Sequence, residues 1–219
     1  MSATVLSTKK LSPQQKSLLI NAGIGVVERD FIKIAPLDFQ IERLPENVIF
    51  SSKNAIKAIL RKDETQLVKE KKIFCVGEKT ADFLKENGFQ IAATANYGAD
   101  LAKLIIEKYA SESFLFFCGK KRNPDLPKML KKHAVDLTEI EVYDTLPSAK
   151  SYARNFDGVL FFSPSGVKSF CSENALSGSI AFCIGKTTAS EAEKHTKRIV
   201  IANKPSIENV IVQAVKKLK

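Results

Sequence analysis

Short apolar runs of strand length alternate with segments of helical period along most of the chain. The runs lie at 3–7, 25–29, 47–51, 73–76, 89–92, 114–118, 135–140, 158–163, 180–184 and 198–202, and they are rich in Val, Ile and Phe. Ser12-Pro13-Gln14-Gln15 opens the first helical segment with a capping serine, proline at the first helical position and glutamine at the third. After Pro205, the residues Ile207, Val210, Ile211, Ala214, Val215 and Leu218 line one face of the last helix. Leu101, Leu104 and Ile105 repeat that face after Gly98. Continuous apolar strands alternating with amphipathic helices predict an α/β fold with parallel sheets flanked by helices on both faces.

The pattern also occurs twice. Phe74-Cys75-Val76-Gly77-Glu78-Lys79-Thr80-Ala81 returns as Phe182-Cys183-Ile184-Gly185-Lys186-Thr187-Thr188-Ala189, 108 positions later (185 − 77). Upstream of each copy an apolar run ends in serine, Val48-Ile49-Phe50-Ser51-Ser52 matching Leu160-Phe161-Phe162-Ser163-Pro164, with Ser51 aligned to Ser163. The opening strand–helix–strand resembles 114–142, Leu18-Leu19 answering Met129-Leu130. Two proline-marked stretches, 35–45 and 143–150, interrupt the alternation and read as linkers between domains. The order is thus A-B-A′-B′, two similar domains with a cleft between them as the expected site. Narrow linkers of this kind predict relative motion of the domains. Pattern alone leaves open whether A packs with B or with B′.

Composition narrows the class. At 219 residues and 44% hydrophobic the chain has enough apolar side chains for two cores of roughly 110 residues each. No run approaches the ~20 apolar residues that span a bilayer, and the first residues lack the basic and apolar regions of a signal peptide. A cytoplasmic protein with no membrane association is expected. Cys75, Cys118, Cys171 and Cys183 show no zinc-ligand spacing, so no metal is expected, and three of them end apolar runs as small buried hydrophobes. The net charge of +10, from 34 basic and 24 acidic residues, suits an anionic partner. The basic residues are dispersed, and most of the 14 Phe fall within strands, which disfavours nucleic acid.

The candidate chemistry lies at strand ends. Gly77/Thr80 and Gly185/Thr188, with Thr187 beside the latter, sit where a strand turns into a helix whose first N–H groups favour anions. Ser51, Ser52 and Lys53, and Ser163, Ser165 and Gly166, add hydroxyls and N–H groups at neighbouring strand ends. Ordinary capping by serine and threonine is the alternative at each. Neither glycine motif is a P-loop or a dinucleotide fingerprint, and no nucleophile elbow, zinc-protease motif or catalytic dyad is present. The protein therefore either binds without catalysis or catalyses by positioning.

Five segments in order, Ile49-Phe50-Ser51-Ser52-Lys53-Asn54-Ala55, Val76-Gly77-x-x-Thr80-Ala81, Val142-Tyr143-Asp144-Thr145, Phe161-Phe162-Ser163-Pro164-Ser165-Gly166-Val167 and Ile184-Gly185-Lys186-Thr187-Thr188-Ala189, resemble the uroporphyrinogen-III synthase family. The chain departs from that family in Ser7-Thr8-Lys9-Lys10 at its first strand end and in Ser52 where proline is common. Arg122 matches the arginine of a Gly-x-x-Arg pattern after Gly119. The resemblance implies two α/β domains, 1–35 with 146–219 and an inserted 36–145, joined by a two-stranded linker with the active site in the interdomain cleft. It implies a cofactor-free lyase of tetrapyrrole (heme) biosynthesis that cyclises hydroxymethylbilane, a polycarboxylate, with loss of water and inversion of ring D; a monomer is expected. It places Tyr143 facing the cleft as the nearest group to a catalytic acid. Ser51, Ser52, Lys53, Gly77, Thr80, Arg122, Ser163, Ser165, Gly166, Gly185, Thr187 and Thr188 are the implied substrate contacts. Two rivals remain: a non-catalytic basic two-domain module for nucleic acid or an anionic ligand, and a two-lobed sugar- or amino-acid-binding protein.

Overall fold

A computed structural model describes residues 3–219. Among these residues the chain forms β1 (Thr4–Ser7), α1 (Pro13–Ile20), β2 (Gly25–Glu28), β3 (Ile32–Pro36), β4 (Asn47–Phe50), α2 (Lys53–Ile59), α3 (Thr65–Lys69), β5 (Lys72–Val76), α4 (Glu78–Glu86), β6 (Ile91–Ala95) and α5 (Gly98–Lys108). There follow β7 (Ser113–Gly119), α6 (Asp125–Lys132), β8 (Asp136–Pro147), β9 (Gly158–Phe161), α7 (Pro164–Cys171), β10 (Ile180–Cys183), α8 (Lys186–Ala192), β11 (Ile199–Ile201) and α9 (Ile207–Leu218). All ten apolar runs overlap strands. No described helix is long and apolar enough to cross a membrane.

The chain divides into two units. Leu146–Lys219 joins the segment ending at Lys33 to form the first, and Ile34–Thr145 forms the second. The first holds a five-stranded sheet ordered β11-β10-β9-β1-β2, and the second carries a six-stranded sheet ordered β3-β8-β7-β4-β5-β6. The pairings β1/β2, β1/β9, β9/β10 and β10/β11 are parallel, as are β7/β8, β4/β7, β4/β5 and β5/β6. Segment A thus pairs with B′, because β1 aligns Leu6 with Val159.

Central strands are buried on both faces. In β9, Val159 and Phe161 face one apolar layer with Val167 and Phe170 of α7, while Leu160 faces the other with Val210 and Ile211 of α9. In β4, Val48 and Phe50 meet Ile56 of α2 and Leu84 of α4, while Ile49 meets Leu101 and Ile105 of α5. Successive strand side chains point to opposite faces, so a strand between two helix layers must be apolar at every position. The run length follows from that burial.

The two copies align motif by motif rather than at one fixed offset. Ser163 caps α7 and Ser52, not Ser51, caps α2. The two copies of the opening motif end their helices alike. Ile24 N–H donates to Leu19 O after α1, and Val135 N–H donates to Leu130 O after α6. Gly23 and Ala134 hold the left-handed position in the two turns, at φ +76° and +55°.

The linker expectation needs refinement. The stretch 37–46 contains no strand or helix, and Phe39, Ile41 and Leu44 pack on the core of the second unit. The chain crosses between the units within β3 and β8 instead. Leu37 N–H donates to Val142 O and Ser148 N–H donates to Phe31 O. Partner numbers rise as strand numbers fall, so the two crossing segments run antiparallel.

Candidate functional site

Each sheet changes its winding direction once. In the second unit the chain moves outward from β4 through β5 to β6, then returns as β7 on the other side of β4. In the first it moves from β1 to β2 and returns as β9 on the other side of β1. Connections leave such adjacent strands in opposite directions, and open α/β sheets bind ligands in the crevice at their carboxyl ends. The candidate residues gather along these two edges.

In the first unit, Thr8 follows β1. It is 4% exposed, and its hydroxyl donates to Leu160 O at 2.7 Å. Ser163 Oγ accepts the Gly166 N–H at 3.1 Å. A methyl group on Gly166 would lie 3.4 Å from Ser163 Oγ and 3.5 Å from Thr8 Oγ1, so these two hydroxyls converge on the first turn of α7. Ser165 is half-buried in the same turn. One strand outward, Gly185 precedes α8, where Thr187 is exposed and Thr188 is buried. Gly185 has φ −175°, extended backbone open to any residue.

In the second unit, Ser51 is exposed at the end of β4, and Ser52 Oγ accepts the Asn54 N–H at 3.2 Å. Lys53 Nζ lies 5.3 Å from the centre of the Phe83 ring. On the adjacent strand Gly77 precedes α4 with φ +87°, a left-handed conformation that side chains other than hydrogen strain. Thr80 is buried in that helix. Capping thus occupies Ser52 and Ser163, but a hydroxyl that accepts still has its own hydrogen to donate. No side chain caps α4 or α8.

On the other side of β4, the ring of Tyr143 lies over the end of β7. A methyl group on Gly119 would sit 2.7 Å from Tyr143 Oη, so only glycine admits the phenol there. In the sequence Gly119 stands out only as the glycine of the Gly-x-x-Arg pattern that ends at Arg122. A one-dimensional pattern holds no sign of its contact with the phenol, because the two residues meet through the β7/β8 register, Gly119 opposite Tyr143.

The basic cluster after Gly119 is fastened to β8. Lys120 N–H donates to Tyr143 O at 2.9 Å, and Lys121 Nζ donates to Thr145 O at 2.9 Å. Arg122 Nε donates to Glu139 Oε2 at 2.7 Å, Nη2 pairs with the same carboxylate, and Nη1 reaches Glu141 Oε1 at 3.3 Å. Lys131 Nζ holds the other Glu139 oxygen at 2.8 Å. The Arg122 fork, expected on substrate, is already filled by carboxylates of its own unit.

Burial pushes the thiols of Cys118 and Cys183 up to about 12, so both stay protonated at neutral pH and neither is a nucleophile.

Residues 14–211 match the family model of uroporphyrinogen-III synthase HemD. The chain belongs to the uroporphyrinogen-III synthase family. Within that family, the uroporphyrinogen-III synthase of Saccharomyces cerevisiae is 25% identical over 146 residues, which are 56% of this chain and 53% of the yeast protein. The chain thus spans about half the length of that curated relative. The uroporphyrinogen-III synthetase structure from Helicobacter pylori has 21% identity and a TM-score of 0.76, covering 99% of this chain and 100% of that one. A mutant uroporphyrinogen III synthase from Thermus thermophilus has 13% identity and a TM-score of 0.65, covering 99% and 98%. These likenesses establish the fold that the uroporphyrinogen-III synthase family shares with this chain.

Proposed function

We propose that the chain is a uroporphyrinogen-III synthase, which converts hydroxymethylbilane to uroporphyrinogen III and water. The observation that carries the reading is the family match over 14–211, a stretch that includes Tyr143 and all the candidate residues from Ser51 to Thr188. Those residues suit the substrate. They are hydroxyls, backbone N–H groups and cations with no carboxylate among them, and hydroxymethylbilane carries an acetate and a propionate on each pyrrole. Each unit offers its carboxyl edge to these arms, through Ser51, Ser52, Lys53, Gly77 and Thr80 in one and Ser163, Ser165, Gly166, Gly185, Thr187 and Thr188 in the other. Buried Thr80 and Thr188 act mainly by shaping the first helical turn. Arg122 serves as the clamp that holds the β7–α6 loop on β8.

The chemistry asks little acid–base work of the protein. A pyrrole nitrogen pushes out the terminal hydroxyl, which leaves as water after taking a proton. The resulting azafulvene carbon is attacked by the substituted carbon of the far ring, giving a spiro intermediate. That intermediate fragments and recloses with the ring inverted, and a proton lost from the ring carbon as aromaticity is restored replaces the one that left with the water. Holding the two ends together accounts for most of the rate. Tyr143 is the proton donor in this reading, because a phenol O–H can hydrogen-bond to the departing hydroxyl.

The test is product analysis. Hydroxymethylbilane incubated with the protein should give the type III isomer, separated chromatographically from the type I isomer that forms spontaneously. Type I product alone would overturn the assignment.

A further inference from the structure

One cation on the first unit's edge has no counter-charge. Arg29 follows β2 directly, and its N–H donates to Ser7 O at the end of β1, so it stands beside the β1/β9 crevice. Its Nε is buried and makes no hydrogen bond. Nη2 makes only a 3.5 Å contact to Ser148 Oγ, the outer limit for a hydrogen bond. No ion pair among the described residues includes Arg29. The adjoining carboxylates are engaged elsewhere: Glu28 holds Lys16 Nζ at 2.7 Å and the Leu11 N–H at 3.0 Å, and Asp30 holds the Lys10 N–H at 3.0 Å. Ser148 is itself fixed, its N–H shared between Phe31 O at 2.8 Å and Ser169 Oγ at 3.1 Å.

A half-buried guanidinium with an unpartnered N–H destabilises the free protein, because water has been removed and nothing replaces it. Nε and Nη2 carry their hydrogens side by side, the geometry that grips one carboxylate with two parallel bonds. An anion that displaces Ser148 from Nη2 also meets Nε. We infer that Arg29 is a carboxylate-binding residue, receiving one acetate or propionate arm of the tetrapyrrole at the first unit's edge. The inference rests on the proposed synthase function for the identity of the ligand. Nothing in the sequence marks the residue, which stands at the charged end of the apolar run 25–29.

The test uses the full chain carrying Arg29→Met, which keeps the stem and removes the charge, and Arg29→Lys. Two quantities are read: KM and kcat for hydroxymethylbilane, and the Kd of uroporphyrinogen III by calorimetry under reducing conditions. Arg29→Met should raise KM and Kd by about 10- to 100-fold, the loss expected for charge-assisted hydrogen bonds, while kcat stays within about threefold. Arg29→Lys should recover part of the affinity. The melting temperature of Arg29→Met should equal or exceed that of the unmodified protein, because an unsatisfied buried group has gone; a purely structural arginine would lower it. Unchanged KM and Kd, or no binding of uroporphyrinogen III by the unmodified protein, overturns the inference. Type I product from the unmodified protein with weaker Kd in Arg29→Met would instead overturn the synthase reading and leave Arg29 as a carboxylate site.

Discussion

The two units present the same edge built in different ways. Both wind out from a central strand and return on its other side, and both cap a helix with serine beside a glycine-led turn. The second unit then closes its edge upon itself. Lys120, Lys121 and Arg122 all bond to β8, and the Tyr143 ring covers Gly119. The first unit leaves its edge open, with a guanidinium that meets no carboxylate. A cation at a ligand edge is therefore no guide to ligand binding until its partners are known. Duplication preserved the frame, while the charge was disposed of separately in each copy.

The largest test of this contrast is at Tyr143. Tyr143→Phe should slow conversion of hydroxymethylbilane by about 10²-fold, while the product remains type III and the melting temperature is unchanged. Gly119→Ala should reproduce much of that loss, since its methyl displaces the phenol. A fully active Tyr143→Phe variant would leave positioning alone to explain the rate.

Next comes Arg122, predicted to behave oppositely to Arg29. The Glu139 side chain is only 11% exposed, and Arg122→Met leaves it with Lys131 alone. Stability in urea should fall by about 1–3 kcal/mol, between the values for exposed and buried pairs, while KM changes less than threefold. A large rise in KM at constant stability would return Arg122 to the substrate.

The glycine pair separates the copies more finely. Gly77→Ala, at φ +87°, should cost about 1–2 kcal/mol, and Gly185→Ala, at φ −175° with open space around it, less than about 0.5 kcal/mol. Equal costs would show that the two turns are the same device after all.

The last expected effect runs the other way. Ala134 holds at φ +55° the position that Gly23 holds at φ +76° in the first unit. Ala134→Gly should stabilise by about 1 kcal/mol and Gly23→Ala should destabilise by a similar amount, both by chemical denaturation.

Most of the frame was legible in the sequence, because burial on two faces writes itself as unbroken apolar runs and helix faces as 3.6-residue periods. The exceptions share a cause. β3 and the second half of β8 pair with each other, and a half-exposed pair of crossing strands has neither an unbroken run nor a clean alternation. At the site, the serines and the glycine turns were legible through local capping rules. Gly185 looked equivalent to Gly77 because the letters repeat while the dihedral angles do not. Gly119, Arg29 and the engagement of Arg122 depend on neighbours brought together by strand register, between 17 and 119 positions away in the chain. No local pattern carries that information.

The pairing of β1 with β9 also governs how the molecule is assembled. Leu6 must await Val159, roughly 150 residues downstream, and β10 and β11 lie beyond that. Everything the second unit needs, by contrast, lies between Ile34 and Thr145. Contacts at short separation form faster than those that close long loops. The inserted unit should thus mature on the ribosome while β1 and β2, with Val5 and Leu6 still uncovered, wait as a sticky N-terminal ribbon. Pulse-labelling hydrogen exchange during refolding should protect the β4–β7 amides before those of β1. Substitutions that slow the closing of the first unit would be felt first as lost yield, through capture of that ribbon by chaperones or aggregates, before any loss of activity in the molecules that finish.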